Sequence, residues 1–333
     1  MIALYEGSME YTTLGSTGTE VSRICLGCMS FGTGSRYEWT LKESESRPII
    51  ERAIDLGINF FDTANIYQYG ESERVLGNVL ADYDRDAQVV ATKVFMQMNE
   101  DDPNSGGLSR KSIEQELGAS LDRLGLETID LYQTHRWDYD TSIKDTIRTL
   151  DDAVHRGDIR HFGASSMWAH QFADALRTSD QFGFDRFATM QNHYSLAYRE
   201  EEREMLPLCQ KEDIGVIPWS PLAKGFLARP HKEIRATRRG EVDDLLHDRP
   251  YDAEGNLVVN ERVEELADQK DVSMAQIALA WLLHKEWVDA PIVGTTSIEH
   301  LEEAVEAIEI DLSERNIEYL EEPYRPLPVV GHE

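Results

Sequence analysis

Along the chain, short apolar runs alternate with longer stretches whose apolar positions recur every three to four residues, and the alternation continues to about Ile308. The short runs predict strands at Ile24–Cys28, Ile58–Asp62, Gln88–Lys93, Asp130–His135, Ile159–Ser165, Phe187–Gln191, Gly215–Trp219 and Pro291–Val293. Helical periodicity falls between them, at Ser44–Leu56, Ser72–Leu80, Lys111–Leu124, Ile143–His155, Ala169–Leu176, Glu200–Lys211, Val263–Lys270, Met274–His284 and Glu299–Ile308. Strict strand–helix alternation implies a parallel sheet covered by helices. Eight such units predict an α/β fold closed as a (β/α)8 TIM barrel, because open doubly wound sheets more often stop at fewer strands. Ahead of them, Glu10–Ser22 places two β-prone runs around a Gly/Ser/Thr turn, an N-terminal β-hairpin. With no linker or break in composition, residues 1–333 read as one barrel domain whose C-terminal loop and tail lie over the barrel mouth.

Composition narrows the class. The 333 residues are 41% hydrophobic and 29% charged, as in a soluble globular protein. No apolar stretch approaches the roughly 18 residues of a spanning helix, and Met1–Tyr11 lacks a basic flank before an apolar core, so a cytoplasmic enzyme is expected. Sixty-two acidic residues against 33 basic leave a formal charge of -29, which opposes binding to nucleic acid or anionic membranes. Only 9 of the 33 cations are Lys. This balance suits a halophilic host, whose salt screens the self-repulsion. Cys25, Cys28 and Cys209 are too few for a disulfide framework. Cys25 and Cys28 lie three apart on a predicted strand, pointing to opposite faces, and read as reduced structural thiols.

Catalytic groups of such a barrel collect at the C-terminal ends of its strands. Those ends present Asp62, Lys93 and His135, with Tyr67 five residues past Asp62. Asp62 and Lys93 on adjacent strands can pair and leave a cation beside the Tyr67 phenol, an arrangement expected to lower its pKa from about 10. Tyr67 is then a candidate proton donor to a carbonyl oxygen, and His135 a hydrogen-bond donor orienting that carbonyl. No G-x-G-x-x-G follows any strand, so a dinucleotide would bind at the barrel mouth rather than in a Rossmann crevice.

The segment FDTANIYQYGESERVLG, Phe61–Gly77, resembles the aldo-keto reductase signature, with one residue inserted between Tyr67 and Gly70. ATKV at Ala91–Val94 and DLYQTH at Asp130–His135 are similar to the next two blocks of that family. The resemblance runs from about Tyr11 to the C-terminus. It implies hydride transfer between NAD(P)H and an aldehyde or ketone, with Tyr67 as general acid/base, Lys93 and Asp62 as its tuning pair, and His135 as carbonyl orienter. It also implies that Ser165, Ser166 and Gln191 hold the nicotinamide carboxamide, Ser166 standing where Asn is frequent. Trp219 stands in place of a frequent Tyr as the ring that stacks on the nicotinamide. Ser220, Pro221, Leu222, Lys224 and Gly225 are implied to contact the pyrophosphate. Gly294, Thr296, His300 and Glu303 are implied to meet the adenosine phosphate.

Two departures bear on the cofactor: His300 aligns with a position that often carries Arg for the 2′-phosphate, and Ala304 with a frequent Asn. NADP(H) is favoured, with NAD(H) or dual use open. Lys224, Arg229, Arg235, Arg238 and Arg239 form a basic cluster able to meet cofactor phosphates, Arg238 among the expected contacts. RICLGCMSFG, GASSMWAHQF and EEPYRPLPVVGH look like the aryl-alcohol-dehydrogenase-like branch, which implies aromatic or other hydrophobic aldehydes. Trp39, Trp137, Tyr139, Trp168 and Tyr324 are candidate walls for such a substrate. A cofactor-sensing regulatory subunit on the same fold is the alternative function. A metal-dependent hydrolase is disfavoured, since the first strand offers no H-x-H and Lys93 stands where a ligand would help; no metal is expected.

Overall fold

The structure, a computed structural model, describes residues 9–236, 251 and 253–332. Strands β1 (Tyr11–Thr13) and β2 (Glu20–Ser22) form the antiparallel hairpin, with Tyr11 opposite Ser22. The barrel strands are β3 (Cys25–Gly27), β4 (Phe60–Asp62), β5 (Val89–Val94), β6 (Ile129–Thr134), β7 (Ile159–Ser165), β8 (Thr189–Gln191), β9 (Gly215–Val216) and β10 (Ile292–Gly294). All pair in parallel, in the order β10-β3-β4-β5-β6-β7-β8-β9. Two backbone hydrogen bonds close the ring between its ends, Asp289 N–H to the Val216 carbonyl and Ile292 N–H to the Pro218 carbonyl, both 2.9 Å. The run Gly215–Trp219 yields only a two-residue strand, in keeping with Pro218, which has no N–H to give a ladder.

Helices α1 (Glu43–Asp55), α2 (Glu71–Leu80), α3 (Arg110–Leu124), α4 (Ile143–Arg156) and α5 (Ala169–Phe182) follow β3 to β7 in turn. The predicted Glu200–Lys211 helix is broken at Glu204, whose backbone (φ -140°, ψ -47°) is not helical, into a 3-10 turn at Glu200–Arg203 and α6 (Met205–Lys211). The outer ring is completed by α7 (Glu254–Lys270), α8 (Met274–Leu283) and α9 (Ile298–Glu306). Sequence periodicity misses α10 (Glu314–Glu321), which is capped by Ser313 and has Leu320 as its one buried residue. No helix among the described residues is long and apolar enough to cross a membrane.

The period-2 alternation of the strands divides the core in two. Cys25, Phe60, Val89, Ala91, Leu131 and Ile292 fill the barrel interior, and the hairpin residues Leu14 and Val21 join them from below. Leu26, Phe61, Val90 and Tyr132, one residue along, face outward into the larger core under the helices. The thiols follow the same division: Cys25 lies inside, Cys28 outside, and all three cysteines are free and buried. Counting two residues from Phe60, Ala91 and Leu131 gives Asp62, Lys93 and Gln133, which form the next interior layer up, toward the strand C-termini. The tail Pro323–His332 crosses the same rim: the Leu327 N–H meets the Glu200 carboxylate at 2.8 Å, the Val330 N–H meets the Tyr198 hydroxyl at 3.1 Å, and His332 packs edge-on against Trp168.

Candidate active site

The interior layer is a connected polar network. Lys93 Nζ donates to Asp62 Oδ2 at 2.5 Å, to the Thr63 carbonyl at 2.8 Å and to the Tyr67 hydroxyl at 3.4 Å. Asp62 Oδ1 accepts from Gln133 Nε2 and from Gln191 Nε2, each at 2.9 Å, and Gln191 Nε2 also reaches Gln133 Oε1 at 3.0 Å. Both Asp62 oxygens are therefore engaged, which is what a carboxylate with 2% of its surface exposed requires. Gln133 carries no role expected from the sequence, yet it pairs in register with Lys93 and bridges Asp62 to Gln191. It lies two residues before His135, and that spacing was the available signal. Its side chain has room because position 163 is glycine: a Cβ there would stand 2.2 Å from Thr189 Oγ1 and 3.2 Å from Gln133 Cγ.

The charge of Lys93 does not bring the pKa of Tyr67 below its ordinary value. Burial raises the phenol above its ordinary range, Lys93 only partly opposes this, and the nearby Asp62 carboxylate reinforces the rise. The expectation of a lowered pKa counted the ammonium and left out both desolvation and the counterion. Tyr67 is therefore protonated at neutral pH, the form a proton donor needs. Burial acts to lower the pKa of Lys93, but Asp62 and Tyr67 outweigh it and the net direction is upward, so the ammonium stays charged. His135 is pushed far down by burial first and then by the Lys93, Arg136 and Arg36 charges, so its imidazole is neutral. Its Nδ1 is buried with no partner among the described residues. An unmatched acceptor there costs less than an unmatched donor, which favours the tautomer carrying its proton on Nε2.

A strained turn positions Tyr67. Gln68 and Tyr69 are left-handed (φ 50° and 53°), as is Gly70 (φ 89°), and the residue inserted between Tyr67 and Gly70 is absorbed in this turn. Left-handed non-glycine residues cost of order 1–3 kcal/mol each unless the surroundings hold them. Gln68 is held: its side chain is fully buried and its Oε1 accepts from the backbone N–H of Arg36 (2.8 Å) and Tyr37 (3.3 Å). The turn thereby clamps the loop after β3 beside Tyr67.

Above the network opens a cavity of about 780 Å³. Asp62, Tyr67 and His135 line it, and Lys93 is buried behind Asp62 and Tyr67. Ser165, Gln191, Trp219, Ser220, Pro221, Leu222, Lys224, Gly225, Gly294, Thr296, His300, Glu303 and Ala304 also line it. Ser166 does not line it: that residue is left-handed (φ 50°) and its hydroxyl accepts from Trp219 Nε1 at 3.1 Å, so it braces the indole instead. Behind Trp219 stack His193 (4.4 Å between ring centres) and then Tyr198 (4.1 Å). Of the basic cluster, Lys224 and Arg229 line the cavity, while the Arg235 side chain and all of Arg238 and Arg239 lie outside the described residues.

These residues fit a nicotinamide dinucleotide. The volume is in the range of about 300–1,000 Å³ usual for such ligands. The turn Ser220–Gly225 holds Ser220, Ala223, Lys224 and Gly225 all left-handed, a run that gathers backbone N–H groups into an anion-binding concavity. The N-terminus of α9 presents its N–H groups and positive dipole end beside Thr296 and His300, which line the same cavity.

Among the proposed substrate walls, Trp39 lines the cavity and stacks on Tyr37 (5.5 Å). Trp137, Tyr139, Trp168 and Tyr324 do not line it. Tyr324 is turned toward Glu200, to which its hydroxyl donates at 2.7 Å, and Trp168 packs against His332. Met29, Tyr37, Ile66 and Met96 supply the apolar surface instead.

Known proteins similar to this chain span nearly its whole length. A family model described as the aldo/keto reductase family matches residues 23–325. A Schizosaccharomyces pombe protein provisionally named an aryl-alcohol dehydrogenase is 42% identical over 96% of this chain and 97% of its own. Versiconal hemiacetal acetate reductase of Aspergillus parasiticus is 40% identical over 96% of this chain and 98% of its own. An aldo-keto reductase of Alternaria alternata is 38% identical over 97% and 93%.

Proposed function

The chain belongs to the aldo/keto reductase family, and from that premise we propose that Tyr67 is the acid–base group of its carbonyl reduction, acting with Lys93, Asp62 and His135. A nicotinamide held there would supply a hydride to a carbonyl carbon, or accept one from an alcohol. The carbonyl oxygen lies between the Tyr67 hydroxyl and His135 Nε2–H. Tyr67 gives its proton to that oxygen, while the neutral imidazole donates a hydrogen bond that stabilises the charge developing there. Lys93, 3.4 Å from the Tyr67 oxygen, stabilises the phenolate left behind, and Asp62 keeps the buried Lys93 charged. The observation that carries this reading is the convergence of these four side chains at a cavity of about 780 Å³ whose lining also includes Trp219, Lys224 and His300.

NADP(H) is the proposed cofactor. Trp219 offers the stacking surface for the nicotinamide. Ser165 and the carbonyl oxygen of Gln191 are its carboxamide partners, because the Gln191 amide nitrogen is already committed to Asp62 and Gln133. Lys224, Arg229 and the N-terminus of α9 would meet its phosphates. His300 puts an imidazole, without the forked N–H donors of a guanidinium, where Arg is frequent, so discrimination against NAD(H) is expected to be modest. The substrates proposed are aromatic and other hydrophobic aldehydes, matching the Tyr37–Trp39 wall and the aryl-alcohol dehydrogenase name of the fission-yeast relative. The three buried thiols suit a cytoplasmic setting.

The test is a tryptophan-quenching titration with NADPH and with NADH at high KCl, followed in the same cuvette by aromatic and aliphatic aldehydes read at 340 nm. Tighter binding of NADPH with aldehyde-dependent loss of absorbance is expected. Equal or tighter NADH binding would overturn the cofactor assignment, and binding without turnover of any aldehyde would overturn the catalytic roles.

A further inference from the structure

Gln68 follows the proposed acid in the chain but does not line the cavity. Its side chain is fully buried and faces the loop of residues 32–41, which carries Tyr37 and Trp39. Two backbone hydrogen bonds close the base of that loop, Gly32 N–H to the Leu41 carbonyl and Leu41 N–H to the Ser30 carbonyl, both 2.8 Å. Closure at the base leaves the middle its own backbone freedom. The middle is fixed instead from the turn after Tyr67. Gln68 Oε1 accepts from the backbone N–H of Arg36 at 2.8 Å and of Tyr37 at 3.3 Å, and Ser35 Oγ donates to the Gln68 carbonyl at 3.2 Å. The Arg36 guanidinium lies over the rings of Tyr37 (5.5 Å) and Tyr69 (5.8 Å), tying the same two segments together. Gly32 makes the approach possible: a Cβ there would stand 2.7 Å from Gln68 Cγ and 2.8 Å from Gln68 Cβ. The left-handed backbone of Gln68 (φ 50°, ψ 35°) is unfavourable for a residue with a Cβ, and these contacts offset it.

The consequence falls on the substrate. Tyr37 and Trp39 stack with ring centres 5.5 Å apart and line the cavity together with Tyr67 and His135. Arg36, in the same loop, is close enough for its charge to help hold His135 in the neutral form. The placing of this wall relative to the acid therefore runs through one residue, joined to Tyr67 by the chain and to the wall by hydrogen bonds. An aromatic aldehyde has ring surface to lay on such a wall, and a small aliphatic aldehyde has little.

We infer that Gln68 is a positioning residue that sets substrate preference: it holds the Tyr37–Trp39 wall in a fixed place relative to Tyr67 and thereby favours aromatic over small aliphatic aldehydes. The inference rests on the reductase reading and assigns its substrate preference to a residue outside the cavity.

The probes are 4-methylbenzaldehyde and propanal with saturating NADPH, compared as the ratio of their kcat/KM values. Gln68→Met keeps the length of the side chain but has no acceptor for the two N–H groups. Gln68→Gly removes the side chain and relaxes the left-handed backbone, so it supplies a folded variant should the first fail to fold. In each, the aromatic-to-aliphatic ratio is expected to fall by at least about 10-fold, the scale of lost pocket contacts, with the aromatic loss carried mainly in KM. Trp39→Ala lowers the same ratio, and its combination with Gln68→Met gives less than the product of the two effects, because both act through one wall. A ratio within about twofold of the native value in the folded Gln68 variants overturns the proposal. So does an equal loss of kcat for both aldehydes, which marks a displaced Tyr67, or effects of Gln68→Met and Trp39→Ala that multiply in full. Failure of the reductase reading looks different, as the native enzyme would reduce neither aldehyde.

Discussion

Replacing Asp62 by Asn removes the counterion of a buried ammonium while preserving shape. Asp62 Oδ1 accepts from Gln133 and Gln191, and Oδ2 accepts from Lys93, so the carboxamide must turn its NH2 toward one donor or the other whichever way it lies. With 0% of its surface exposed, Lys93 has no solvent to replace the lost charge. Breaking a buried pair on one side costs about 3–5 kcal/mol. The alternative is for Lys93 to lose its proton, since fully buried lysines can titrate near pH 6. Neutralising it against an unfolded pKa of about 10.4 costs roughly 4.6 kcal/mol at pH 7 and about 1.9 kcal/mol at pH 9.

The sign follows from proton counting. In the variant the folded-state pKa of Lys93 lies below its unfolded value, so between those two values the unfolded chain binds one more proton and stability is lost as pH falls. Measuring the variant against the native enzyme isolates this slope, because native Lys93, held charged against burial by Asp62 and Tyr67, keeps its proton on folding at pH 7–9. Urea unfolding followed by circular dichroism at pH 7, 8 and 9 in constant KCl gives the comparison. The expected deficit of Asp62→Asn relative to the native enzyme is about 3–5 kcal/mol at pH 7, shrinking by about 1.4 kcal/mol per pH unit. A deficit below about 1 kcal/mol that does not change with pH would refute the reasoning, because Lys93 would then have found another way to keep its charge.

Because burial raises Tyr67 and lowers His135, both are in their working forms over a wide interval, and kcat for reduction of a neutral aldehyde should be flat from about pH 6.5 to 9. An inflection near pH 7 in initial rates would contradict those assignments. Gln133→Leu removes a donor to an ionised acceptor and should lower stability by about 1.5–3 kcal/mol in urea melts, with a fall in kcat; an unaffected enzyme would show that Gln191 alone orients Asp62. The -29 charge should make unfolding midpoints rise between 0.1 and 2 M KCl, as the Debye length shrinks from about 10 Å to below 3 Å, and a flat response would refute the halophilic reading.

The barrel was legible because each interior strand is short, apolar and bounded by a helix of clear period, and because the reactive residues stand where the apolar runs stop. Asp62, Lys93 and His135 are such run ends. Gln133 was overlooked although the alternation through Leu131 and His135 puts it on the same interior face; an amide inside an apolar run carries no chemical signal until its partners are known. The helix Glu314–Glu321 went unseen because it buries a single residue, leaving no apolar stripe to detect. Trp137, Tyr139, Trp168 and Tyr324 were plausible walls by type, but the direction of a loop side chain depends on contacts such as Tyr324 with Glu200 that lie 124 residues apart. The Tyr67 pKa failed for a related reason: the neighbouring charge can be read from strand ends, whereas the burial that outweighs it belongs to the folded barrel.

The most direct test of the account is the Tyr67→Phe enzyme, titrated with NADPH by tryptophan quenching and then given aldehyde in the same cuvette. Removal of the general acid alone predicts cofactor affinity close to the native value and turnover lower by at least about 10²–10⁴-fold. Turnover within a few-fold of the native enzyme, with intact NADPH binding, would contradict it and take the proton-donor role away from Tyr67.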